Sequence, residues 1–242
     1  MNPKPGWRAD RATGFYRWAA WAALAVAFIG FFLTYSLPMA RGTFAGPVWS
    51  HVHGALLLSW LLLTIVQAHL AAAAVRVHRR LGWVAAILAP AVAASTIAVG
   101  YEAANIGLAR GDGPIAISGF LGSVTAPLIF LLLVAIALMQ RRDPQFHKRA
   151  IFVATVAMLW PAWFRWRHFL PGLPRPEITL SLVAADAPIV IAMVRDRVGY
   201  GAVHPAYWWL GLGLVAEQTL ETLAFDTPAW RIAAQAVYGL VA

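Results

Sequence analysis

The chain reads as a series of long apolar runs separated by short polar joints. Seven runs stand out, over about 18–38, 49–75, 82–104, 115–140, 150–170, 178–194 and 205–224. Crossing a bilayer core takes about 20 mostly apolar residues in helix. The joints hold residues that end helices: Pro38, Gly42 and Pro47, then "RGDGP" at 110–114, "PGLPRP" at 171–176 and "VGYGAVHP" at 198–205. No joint is long enough to separate two domains. The pattern therefore predicts an all-α integral membrane bundle of seven transmembrane helices, with residues 1–242 as a single domain. Pro161, after Trp160, is expected to kink the fifth run, since it removes a backbone donor and crowds the preceding turn. The tail from Pro228 to Ala242 is too short to span; with Trp230, Arg231 and Tyr238 it is expected to lie in the membrane interface as a short amphipathic helix.

Composition agrees with this pattern. The chain is 61% hydrophobic and 12% charged, which sets it apart from soluble domains, and it has no cysteine. Disulfides, thiolate metal sites and cysteine nucleophiles are thereby excluded, so a bound metal or haem has to be held by His, Met or carboxylates. The formal charge is +9. Its basic residues cluster at the joints instead of forming a stripe, which argues against a nucleic-acid partner. Thirteen Lys and Arg fall in the N-terminal segment and the 76–80, 141–149 and 195–197 turns, whereas six fall on the other side: Arg41, Arg110, Arg165, Arg167, Arg175 and Arg231. This asymmetry predicts a cytoplasmic N-terminus and an external C-terminus. The first run is long and lacks a small-residue cleavage site, so it is read as a retained helix.

Two of the basic turns echo each other. "RVHRRLGW" at 76–83 and "QFHKRAIF" at 145–152 each place a His before two basic residues where an outward-going helix begins, as expected if two hairpins are related as parallel repeats.

A wider pattern includes these turns. His53, Trp60 and Gln67 recur at sevens in the second run. They are followed by His78, Arg79, Leu81 and Gly82, by His147, Lys148 and Arg149, and by "HPAY" at His204 to Tyr207. Over almost its full length the chain resembles a widespread family of uncharacterised bacterial multi-pass inner-membrane proteins. The resemblance implies a bacterial inner-membrane location and carries no particular activity with it.

Polar groups at membrane depth normally face a bundle interior or a wet cavity. His53, Trp60, Thr64 and Gln67 share one helical face, with His51 and His69 nearly opposite. At the outer level other helices offer Glu102, Arg165, Glu217 and Glu221, with Asp186 near the middle of the sixth run, and an acid within a span is expected to pair with the nearest cation, giving a Glu217/Glu221 to Arg165 network. These residues define a candidate ligand pocket toward the outer leaflet. On the cytoplasmic side His78, Arg79, Arg80, His147, Lys148 and Arg149 are candidates to meet an anionic group, either lipid headgroups or the acidic part of a cofactor.

Three functional classes fit the sequence. The first is a binding, transport or assembly protein that takes a small ligand or cofactor between helices. A second is a b-type haem or redox protein using His53 and His168 as axial ligands. The third is a metal-dependent or acid–base enzyme built on His53, Glu217 and Glu221, with His168 as a further member of the set. Phosphate-cradling glycine loops, nucleophile elbows and metalloprotease motifs are missing from the sequence.

Overall fold

The computed structural model describes residues 14–242, and regular structure among them is helical throughout. Lys4, Arg8 and Arg11 of the basic N-terminal segment lie outside the described residues. In chain order the helices are α1 (Gly14–Ala40), α2 (Val48–Ala73), α3 (Val75–Arg110), α4 (Pro114–Met139), α5 (Pro144–Ala157), α6 (Trp160–Arg165), α7 (Pro176–Tyr200), α8 (Leu212–Ala224) and α9 (Pro228–Tyr238). α8 is entered through a π-helical turn, Tyr207–Gly211. Five of these helices, α1 to α4 and α7, are long and apolar enough to cross a bilayer. Their outward faces are apolar as well, with Trp18 78% and Ile87 75% exposed. A water-soluble protein would bury such side chains, whereas lipid solvates them. The chain is a multi-pass helical membrane protein.

The fifth apolar run is divided. α5 stops at Ala157, Met158 and Leu159 intervene, and α6 restarts with Pro161 in its first turn, where the missing N–H would have had no helical partner. The joint between α2 and α3 is a single non-helical residue, Ala74 (φ −150°, ψ 69°). "RVHRR" therefore forms the first turns of α3 instead of a separate turn. α5 begins with Asp143 as its cap, whose Oδ1 accepts from the amides of Gln145 (2.9 Å) and Phe146 (3.1 Å).

α2, α3, α4 and α5 pack in sequence. α1 lies against α2, α5 and α6, α7 lies beside α5 and α6, and the Tyr207–Gly211 turn rests on α5. Trp60, Phe130, Val153, Val156, Ile189 and Tyr207 belong to the buried core. Gly30 allows α1 to approach α6 closely: a Cβ there would sit 2.3 Å from the Ala162 carbonyl oxygen. α9 folds back onto α4, burying Ala234 and donating from Trp230 Nε1 to the Ser118 carbonyl (3.1 Å). Tyr238 adds a hydrogen bond to Asn105.

Candidate functional site

A cavity of about 1770 Å³ opens between α1, α2 and α5. It runs from Val26, Leu159 and Trp163 within the bundle to Arg79, Arg141, Arg142 and Lys148, at the end where α2 meets α3 and α4 meets α5. Its width comes from small side chains: Ala19, Ala20 and Ala23 of α1 face Ala68 and Ala71 of α2. The inner walls are apolar, with Trp60, Phe152 and Leu159. Trp60, Gln67 and Trp163 also line it, and each keeps one buried polar atom without a hydrogen-bond partner: Nε1, Oε1 and Nε1. An unsatisfied buried group of this kind costs about 1–3 kcal/mol, so the cavity is suited to an occupant that carries polar groups.

At the basic end the two echoed histidines meet. The rings of His78 and His147 lie 6.3 Å apart, centre to centre, with their planes at 87°. His78 Nδ1 is 3.2 Å from the Gln67 carbonyl and His147 Nδ1 is 2.8 Å from the Ala137 carbonyl. A carbonyl only accepts, so both Nδ1 atoms carry a proton, and in the neutral form of either ring the lone pair falls on Nε2. Both histidines perform the same act, reaching back across a tight joint to the last turns of the preceding helix. Arg79, Arg141 and Arg142 are exposed beside them.

Arg149, expected to meet an anionic group, is fully buried instead. Its Nε donates to Asp196 Oδ2 (2.9 Å) and its Nη2 to Oδ1 (3.0 Å), while Nη1 donates to the Gln145 carbonyl (3.0 Å) and Gln145 Oε1 (2.9 Å). Asp196 is equally buried and also accepts from the His204 amide (3.4 Å). The network accounts for "HPAY". His204 Nδ1 accepts from the Ala206 amide (3.1 Å), Pro205 opens the next helix, and Tyr207 shares a hydrogen bond with Tyr16 (Oη to Oη 3.0 Å). Lys148 lies 5.3 Å from the centre of the Tyr16 ring. Sequence reasoning missed Asp196, Tyr16 and the arginines Arg141 and Arg142. Asp196 did carry a signal, an acid between two arginines in "RDR", where a topology anchor needs only cations. Arg80 is exposed and does not line the cavity.

The outer-level candidates do not converge on one pocket. His53 donates from Nδ1 to Ser95 Oγ (3.1 Å), whose own proton goes to the Val92 carbonyl (2.8 Å). Arg165 is within electrostatic reach of His53. The expected ion pair from Arg165 to Glu217 or Glu221 is not formed. Arg165 donates to the Pro161 carbonyl (2.9 Å) and stacks 4.3 Å from the Phe31 ring, toward α1. Glu221 instead accepts from Thr125 (3.3 Å) on α4, and with Glu217 borders a pocket of only about 20 Å³. The two glutamates belong to the α4 side of the bundle and Arg165 to the α1 side. Asp186 is 5% exposed with both carboxyl oxygens unpartnered, and Glu102 has one unpartnered buried oxygen. His168 is exposed beyond α6, whereas His53 is half-buried on Ser95, and nothing joins the two as an axial pair. Of the outer candidates, Trp60, Thr64 and Gln67 line the large cavity. Thus the site opens at the end opposite to the one expected.

His51 and His69 serve locally: His51 Nδ1 bonds Tyr35 (2.8 Å) and His69 Nδ1 bonds the Ile65 carbonyl of its own helix (2.9 Å). No family model, no curated protein and no solved structure matches this chain.

Proposed function

We propose that this chain is a bacterial inner-membrane protein of the family it resembles, crossing the membrane seven times with its N-terminus in the cytoplasm. Its function in this reading is to bind an anionic amphiphile in the cavity between α1, α2 and α5. The five long helices and the excess of Lys and Arg at the Ala74 and 140–143 joints support the topology. The observation that carries the function is the cavity's polarity: an apolar interior of about 1770 Å³ that ends at Arg79, Arg141, Arg142 and Lys148. Ordinary ligand pockets are about 300–1,000 Å³, so a long or broad apolar body fits. An acidic head meets the arginines, while the imidazoles and the orphaned groups of Trp60, Gln67 and Trp163 offer polar contacts along the way.

Binding of a fluorescent long-chain carboxylate to the protein purified in mild detergent tests this. The carboxylate is expected to bind at least about tenfold more tightly than its alcohol analogue, a difference of about 1.4 kcal/mol. Arg79→Glu combined with Arg142→Glu removes that preference. Equal binding of acid and alcohol, unchanged by the charge reversals, refutes the reading.

A further inference from the structure

We infer that the occupant of this cavity includes an iron porphyrin of the haem b type, held axially by His78 and His147. The inference rests on the amphiphile-binding reading and names the ligand class for the same site.

The separation of the two rings is the first ground. A metal ion in a straight line between one nitrogen of each imidazole sets the ring centres about 6 Å apart, from two bonds of about 2.0 Å and two ring radii of about 1.1 Å. The observed value is 6.3 Å. Tetrahedral ligation bends that line and brings the centres to about 5 Å. The spacing therefore accommodates ligands trans to one another and is too wide for tetrahedral ligation.

Ligand count is the second. Among the described residues no group of three or more His, Asp or Glu is placed to hold a metal. A porphyrin brings four equatorial nitrogens of its own, and two trans imidazoles complete the iron.

The third is the tautomer. Each Nδ1 donates to a backbone carbonyl, at 3.2 Å for His78 and 2.8 Å for His147. This bond to the backbone fixes ring orientation and raises the basicity of Nε2, the nitrogen that would bind iron. Finally, the porphyrin is itself an anionic amphiphile. Its flat apolar ring suits the space lined by Trp60, Trp83 and Phe152, and its propionates suit Arg79, Arg141 and Arg142. The sequence alone had suggested His53 and His168 for such a role. The structure moves the pairing to the two histidines of the internal echo.

The test is titration of the full chain in mild detergent with hemin. One equivalent is expected to give a six-coordinate low-spin spectrum, and the 87° angle between ring planes predicts the strongly anisotropic low-spin EPR signal of crossed imidazoles. His78→Ala and His147→Ala each weaken hemin binding at least tenfold and leave a high-spin species, whereas His69→Ala keeps the wild-type spectrum. His147→Gly with added imidazole regains the low-spin form, which separates ligand loss from misfolding. A high-spin wild-type complex, or a low-spin spectrum that survives in both alanine variants, overturns the assignment. If the carboxylate binds and hemin does not, the haem inference falls and amphiphile binding stands. Failure of both ligands to bind removes both.

Discussion

Removing Asp196 leaves a guanidinium buried that the fold has arranged around that carboxylate. Arg149 and Asp196 are both 0% exposed and joined by two parallel hydrogen bonds, with a closest approach of 2.8 Å. Taking away one member of such a pair costs about 3–5 kcal/mol, because a desolvated charge loses its compensation. Replacing both with apolar residues of similar volume is often neutral. Asp196→Leu and Arg149→Met are each expected to destabilise the protein by about 3–5 kcal/mol, and the double variant is expected to be more stable than either single, short of the parent because the His204 amide and Arg195 also lose Asp196 as acceptor. The assay is reversible denaturation in mixed micelles followed by tryptophan fluorescence. The double-mutant cycle then gives the coupling directly. If the double variant is as unstable as the sum of the singles, the pair is not the unit that ties α5 to α7, and the reasoning fails. The pair lies beside the cavity mouth, through Gln145 and Lys148, so the singles should also weaken ligand binding more than the double does.

Other outcomes follow from the same structure. Asp226 lies outside the spans, and hydrogen bonds from Arg231 and Ser118 hold its carboxyl down at about 2. A depressed acid stabilises the fold above its ordinary value of 3.8, and that contribution is lost as pH falls through about 2. Hydrogen exchange over α9 should therefore rise in acid, and Asp226→Asn should abolish the step. Gly30→Ala drives a Cβ to 2.3 Å from the Ala162 carbonyl, so a loss of about 1–3 kcal/mol is expected in the same unfolding assay. Gly213→Ala, with nothing within 4 Å, is expected to change little. Tyr207→Phe removes the 3.0 Å bond to Tyr16 and should cost about 0.5–1.5 kcal/mol; no change would mean that the two hydroxyls do not hold α1 to the HPAY turn.

Hydrophobic run length and the Pro and Gly joints determined a great deal by themselves. The runs read as 49–75 and 115–140 stand as Val48–Ala73 and Pro114–Met139. A bilayer makes every exposed backbone group costly, so a long apolar run has few choices besides helix. Pro161 marked the break in the fifth run for a purely local reason, the absent N–H. The equivalence of His78 and His147 was likewise legible, as two similar octapeptides. What lay beyond the sequence was which residues meet. Whether an arginine at a joint faces headgroups or a buried acid depends on the helix brought beside it: Arg79 is exposed, while Arg149 is enclosed by Asp196 of α7. Glu217 and Arg165 seemed natural partners by depth, yet packing set Arg165 on Phe31 of α1 and Glu217 in a pocket bordered by Ala126 and Ile129 of α4. The cavity too is a tertiary product, because alanines that merely look apolar in sequence open a space only when α1 and α2 set them face to face. Periodicity fixes a helix and its faces, whereas the rotation and neighbour of each helix are decided by packing among all of them at once.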